Sequence, residues 1–219
     1  MNQIFIENNL KKSCPELRLG CLQCSVKVGP SPKTLLHQIQ DATSKLSTNL
    51  QIEDISQLET IKATKEAYRR LGKDPTRYRP SAEALSRRVV SGKGLYQINN
   101  VVDCLNLVSV TTGFSIGGYD SDKINGDIGL GIGEENEPYE AIGRGTLNIH
   151  QIPVFRDQNG AFGSPTSDSL RTMVTNDTQI FLMIILDFGH DDALKTAMEF
   201  SQELLEKYAL ASRFELKII

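Results

Sequence analysis

Apolar residues recur along this chain with two different periods, and the change of period falls near Gly113. Before it, Leu17–Val28 (LRLGCLQCSVKV) reads as a strand, and Pro32 stands where a helix would begin, predicting a helix from about Pro32 to Leu46. Ile55, Leu58, Ile61, Tyr68 and Leu71 recur at helical spacing and predict one further helix closed by Gly72. A third helix is predicted from about Ser81 to Ser91, with Leu85 and Val89 inward, Arg87 nearly opposite them and Gly92 as its stop. Asn100 is the expected N-cap of a fourth, Val101 to Thr112, with Asp103 in the first turn, where the helix dipole favours a carboxylate.

Beyond that point the texture changes. Eight glycines lie between Gly113 and Arg156, among short alternations (Ile128, Leu130, Ile132; Ile149, Ile152, Val154) that predict short strands joined by tight turns. Ile180–Leu186 is continuously apolar, as a buried central strand would be. A last helix is expected from about Asp191 to Leu210, with Leu194, Ala197, Met198, Leu204, Leu205 and Tyr208 inward, followed by a short strand, Arg213–Ile218. Helices crowd the first half and strands the second, so the expected class is α+β rather than a doubly wound parallel sheet. No repeat or linker interrupts the 219 residues, which are expected to form a single domain, 1–219.

Composition narrows the class without naming a function. At 39% hydrophobic and 23% charged, with 17 glycines and 8 prolines, the chain is ordinary globular protein and neither disordered nor fibrous. The apolar run at 180–186 is far short of the ~20 residues of a membrane span. Residues 1–7 carry no basic segment ahead of an apolar stretch, so a cytoplasmic location with reduced cysteines is expected. The net charge of −3 is unevenly spread: Lys62–Lys93 holds ten basic residues against three acidic ones, a balance of +7, and the acidic excess lies in Asp120–Glu140 and Asp187–Glu206. A positive segment of this kind suits a polyanion such as RNA, although a charge run is more often a solvated helix face.

Most chemical motifs dissolve on inspection. Cys21-Leu22-Gln23-Cys24 has the spacing of half a zinc site, but there is no second pair, and on a strand residues three apart face opposite sides. No metal and no cofactor are expected. Gly129-Leu130-Gly131-Ile132-Gly133 lacks nucleotide-loop spacing and a following helix, and reads as a glycine-marked strand or turn. His37, His150 and His190 stand near no recognisable nucleophile and read as surface or capping residues.

One block is more specific. Arg87-Arg88, Val101-Val102-Asp103 with Asn106, Gly118-Tyr119-Asp120 followed by Asp122-Lys123-Ile124, and Val174-Thr175-Asn176-Asp177-Thr178 follow one another over about residues 65–190. This succession resembles the B3/B4 domain of the phenylalanyl-tRNA synthetase β subunit, and more closely stand-alone B3/B4 proteins. The resemblance implies a three-layer β/β/α domain, here with additional N-terminal helices and a C-terminal helix. In the synthetase that domain holds the editing site that hydrolyses tyrosine wrongly attached to the phenylalanine tRNA. A pocket for phenylalanine that rejects an added hydroxyl weakly is the physical reason to remove errors in a second pocket. The chain departs from the pattern at two places. Gly117 stands where the synthetase block has a histidine, and Ile184 falls, in an ungapped reading, where it has the glutamate that reads the substrate.

The candidate pocket residues are therefore Asp103, Asn106, Gly117, Gly118, Tyr119, Asp120, Ser167 and Ile184, and no catalytic residue is assigned. Each has a plainer reading. Asp103 and Asn106 share a helix face and would meet a ligand or cross-link the loops beneath. Tyr119 and Asp120 would flank a close approach or form a turn with a packed ring. Ser167, Asp168 and Arg171 fall in a polar loop. Arg69, Arg70, Arg87 and Arg88 are candidate RNA contacts, with an internal salt bridge from Arg87 or Arg88 to Asp103 or Asp120 as the alternative. The readings left open are a tRNA-associated module acting in trans on mischarged aminoacyl-tRNA, a non-catalytic binder of an amino acid or similar small molecule, and a structural or protein-interaction domain.

Overall fold

The computed structural model describes residues 1–189 and 191–219; His190 lies outside the described residues. In chain order the elements are β1 (Ile4–Ile6), α1 (Asn8–Ser13), β2 (Arg18–Ser25), α2 (Lys33–Asn49), α3 (Ile52–Ile55), α4 (Glu59–Arg70), α5 (Ser81–Val90), α6 (Asn100–Thr112), β3 (Ser115–Asp120), β4 (Ile128–Ile132), β5 (Glu140–Ala141), β6 (Gly145–Thr146), β7 (Pro153–Asp157), β8 (Gly160–Gly163), β9 (Ile180–Asp187), α7 (Asp191–Ala209) and β10 (Ser212–Ile218). One sheet has the order β10-β2-β9-β3 and a second the order β1-β4-β7-β8, with β5 and β6 as a small hairpin. The class is α+β.

Strand β9 explains the layering. Its residues are apolar on both faces, and alternation sends Phe181, Met183 and Ile185 one way and Leu182, Ile184 and Leu186 the other. The first set packs with Leu35 of α2, Val101, Leu105 and Val108 of α6 and Leu194, Met198 and Leu205 of α7. The second packs with Tyr119 of β3 and with Ile128, Leu130, Phe155 and Phe162 of the other sheet. The result is helices on sheet on sheet, the β/β/α arrangement. Cys21 lies in the inter-sheet core and Cys24 in the helix–sheet core, as a spacing of three on a strand requires. All four cysteines are free and buried. No described helix is long and apolar enough to cross a membrane.

The elements differ from expectation in four places. The stretch from Ile55 to Leu71 is two helices rather than one: Leu58 is extended at the start of α4, and the break lets Ile55 and Ile61 both pack on Ala82 of α5. The cap of α6 is Asn99, whose side chain accepts from the Val102 N–H at 2.9 Å. Asn100 instead accepts from Gly29 N–H at 2.9 Å and donates to the carbonyls of Lys27 and Tyr208 at 2.9 and 2.8 Å. On α5 the buried face is Ala82, Glu83, Ser86 and Val89, with Leu85 half-buried. Arg87 does not point away from that face, because its Nε donates to Glu83 Oε1 at 2.9 Å. Finally, β1 and α1 precede every element that the periodicity marked.

Candidate functional site

The two departures from the editing pattern are neighbours. Gly117 of β3 pairs directly with Ile184 of β9, and Ile184 also faces Cys21 of β2, so all three point into the layer between the sheets. That layer is filled. Tyr119, two residues along β3 from Gly117, turns its ring edge-on to Phe162 at 4.9 Å between centroids and to Phe155 at 6.2 Å. A side chain at 117 would collide with the Tyr119 hydroxyl, and so would one at Gly163 on β8; both glycines are what allow the phenol to lie across the layer. Gly118 faces the other way, toward Leu105 and Phe181.

The polar end of the ring meets Asp168. Asp168 Oδ2 accepts from the Gly118 N–H at 3.1 Å, while its Oδ1 and the Tyr119 hydroxyl are sealed from water without a well-formed hydrogen bond. Burial pushes the Asp168 carboxyl up to about 7, only partly offset by the Gly118 N–H and the Tyr119 hydroxyl. The phenol is itself held well above its ordinary value, first by burial and then by the Asp168 charge. Nearby, the Ser167 carbonyl accepts from Tyr139 at 2.6 Å and from Ser164 at 2.9 Å, and Tyr68 bonds Thr166 at 2.8 Å. The loop 164–169 is thus pinned by three buried hydroxyls.

The remaining pocket candidates lie apart from this layer or serve its edges. Asp103 accepts from the Ser31 hydroxyl at 2.6 Å and from the Ile98 N–H at 2.9 Å, tying two loops to the start of α6, and burial raises its carboxyl. Asn106 is half-buried one turn on. Asp120 accepts from Thr178 at 2.8 Å and lies 3.2 Å from Lys123, which donates to the Met173 carbonyl. Two of the motif pieces quoted above therefore meet and hold each other. Open space lies elsewhere: a recess of about 460 Å³ is lined by Tyr139, Glu140, Thr146, Ser169 and Arg171 among others. Arg171 is fastened there by Asp157, at 3.1 and 2.8 Å, and by the Gly160 carbonyl at 2.9 Å. Tyr139 and Asp157 were not candidates from sequence, because nothing in their local pattern marks them.

The basic segment is less free than its charge count suggests. Glu83, 1% exposed, gathers Lys65 at 3.1 Å, Arg87 at 2.9 Å and Arg79 at 3.9 Å. The internal partner of Arg87 is thus Glu83, not Asp103 or Asp120. Arg70 is bonded to Glu16, and Lys73 is buried against the carbonyls of Asn148 and His150. Arg69 is exposed, and Arg88 lies 3.8 Å over the ring of Tyr96, which is 55% exposed. As to chemistry, the thiols are inert at neutral pH: burial raises Cys14 to about 11 and Cys21, Cys24 and Cys104 to about 12. Among the described residues no group of three His, Cys, Asp or Glu side chains could hold a metal ion.

Comparison with known proteins names the arrangement. The family model described as the B3/4 domain matches residues 63–209, from α4 to the end of α7. The chain belongs to the B3/4 domain family. Among solved structures, the chain is similar to an N-terminal fragment of the phenylalanyl-tRNA synthetase β-subunit from Pyrococcus horikoshii, at 14% identity and a TM-score of 0.49. The likeness covers 99% of this chain and 50% of that one, so the chain spans about half the length of the fragment. No curated protein matches the B3/4 protein. The matched segment leaves out β2 and β10, two of the four strands in the sheet that carries Gly117 and Ile184.

Proposed function

We propose that this B3/4 protein is a tRNA-associated module that engages aminoacyl-tRNA in trans, and that tyrosyl-tRNA is not a substrate it hydrolyses. The observation that carries the first half is the Arg88 guanidinium stacked on the exposed ring of Tyr96, beside exposed Lys93. A cation at the end of α5 and an accessible aromatic ring on the loop that follows supply phosphate attraction and a stacking surface, the two contributions by which unpaired nucleotides are held. The second half follows from the inter-sheet layer: Gly117 and Ile184 offer no side-chain donor or acceptor, and Tyr119 occupies the space above Gly117. Fluorescence anisotropy with labelled tRNA tests the first half. Arg69→Gln with Arg88→Gln should weaken binding and lower the salt slope by about 1 to 2. Arg70→Gln with Arg87→Gln should do less, since Glu16 and Glu83 hold those guanidiniums. Unchanged affinity and slope in the folded first pair would overturn the reading. A panel of mischarged tRNAs, run against spontaneous hydrolysis, tests the second half, and tyrosine-selective release would overturn it.

A non-catalytic small-molecule role is favoured by a different observation, the 460 Å³ recess with Ser169, Tyr139 and the anchored Arg171 on its wall. Its signature is stabilisation of the protein by free amino acids in the absence of any affinity for tRNA.

A further inference from the structure

We infer that this B3/4 protein pairs with a second copy of itself through the outer edge of β10, joining two four-stranded sheets into one. Strand β10 ends the order β10-β2-β9-β3 and, among the described residues, no strand pairs with its other side. The hydrogen-bond register shows which backbone groups are left over. Leu19 and Ile219 exchange both N–H···O bonds, at 2.9 and 3.0 Å, which makes them a hydrogen-bonded pair. Alternation then directs the groups of Lys217 and Glu215 toward their partners Cys21 and Gln23 on β2. Those of Leu216 and Ile218 point outward, to the open edge.

An antiparallel copy can bond to these outward groups in registers centred on Glu215, Leu216 or Lys217, and the last would set Lys217 against itself. Centred on Glu215, the pairing would set Glu215 against itself, a like-charge contact. Centred on Leu216, it sets Glu215 opposite the second copy's Lys217, and the reverse, as a non-hydrogen-bonded pair whose side chains approach most closely. The other face of the same register places Leu216, which is 46% exposed, against its own copy. Lys217 alone would guard the edge against pairing; with Glu215 two residues away, the edge becomes complementary to itself. The groups facing Glu215 within one chain are the Met1 amine, at 2.7 Å, and its neighbours on β10, and Glu215 remains 58% exposed. One copy must be the second partner of a two-fold contact, so the interface closes as a dimer.

A short edge without a large apolar patch supports a monomer–dimer equilibrium rather than an obligate dimer. Sedimentation equilibrium on the full chain should show dimer appearing at concentrations on the order of 10 to 100 µM. Lys217→Glu makes both facing positions acidic and Glu215→Lys makes both basic, so each variant alone should dissociate about tenfold or more readily. An equimolar mixture of the two restores opposite charges at both contacts and should recover the dimer. Leu216→Pro deletes an N–H that β2 does not use and should also give monomer. Circular dichroism establishes that each variant is folded, and if the proline variant is not, the charge variants carry the test. A wild-type chain that stays monomeric throughout, single charge variants that dimerise as wild type does, or a mixture that stays monomeric would each overturn the inference.

Discussion

Asp168 is the residue at which local chemistry departs furthest from the ordinary. A carboxyl held at about 7 in the folded chain, against 3.8 when free, binds its proton more tightly folded than unfolded. The contribution of Asp168 to stability therefore falls as the pH rises from about 4 to about 7, and the loss is constant above that range. Asp168→Asn keeps an oxygen for the Gly118 N–H and removes the titration, so it should be more stable than wild type at pH 8 and lose that advantage by pH 4. Urea denaturation at several pH values measures the difference, and parallel curves for the two proteins would contradict the assignment. Tyr119 offers a paired check. Because its hydroxyl holds the Asp168 pKa down, Tyr119→Phe should shift the pH-sensitive range upward. Below that range it should cost little stability, since the hydroxyl that it removes lacks a well-formed bond, whereas above it the upward shift adds to the loss carried by Asp168.

At the scale of elements, α4 and α5 are joined by charge as much as by apolar contact. Lys65 and Glu83 are both buried, and removing Glu83 alone leaves an uncompensated ammonium beneath Arg79 and Arg87. Glu83→Leu should destabilise by about 3 to 5 kcal/mol, and Glu83→Leu with Lys65→Met should recover much of the loss. Additive effects in the double variant, read from urea midpoints, would show that the pair is not coupled. This junction also marks the limit of what periodicity conveys. Helices α6 and α7 and strands β2 and β9 were legible because one pattern of burial runs through each. Helix α5 was misread because the residue on its inner face is a glutamate, and its burial depends on cations contributed from outside that helix's own apolar pattern. The three-residue β1 was illegible for a similar reason, since it exists by pairing with β4, with Ile4 opposite Ile128. Gly117 and Ile184 could be named from the sequence one at a time, but their contact follows from the register of β3 on β9. That Tyr119 fills the inter-sheet layer above Gly117 depends on the distant Gly163.

The whole molecule is tied together from both ends. Strand β10, last in the chain, is the outer neighbour of β2 near its start, and β2 lies against β9, so the sheet carrying both cores cannot be completed by either half alone. The helix–sheet core likewise draws on Leu35, Leu107, Met183 and Leu205, and the inter-sheet core on Ile4, Leu19, Phe155 and Ile184. These connections lead us to expect one cooperative unfolding unit over the full 219 residues. The cysteines make that expectation testable core by core, because Cys14 and Cys21 belong to the inter-sheet core and Cys24 and Cys104 to the helix–sheet core. Burial raises all four thiols, so labelling at pH 8 reports opening of the surrounding layer rather than surface reactivity. Pulse labelling across a urea series, read by peptide mass spectrometry, should give the same midpoint for all four cysteines and for the loss of helical signal. If Cys14 and Cys21 became reactive at lower urea than Cys24 and Cys104, the two sheets would be separating before the helices leave. A stable proteolytic fragment ending near Gly113 would show the same independence along the chain, and either outcome would divide the molecule into two folding units.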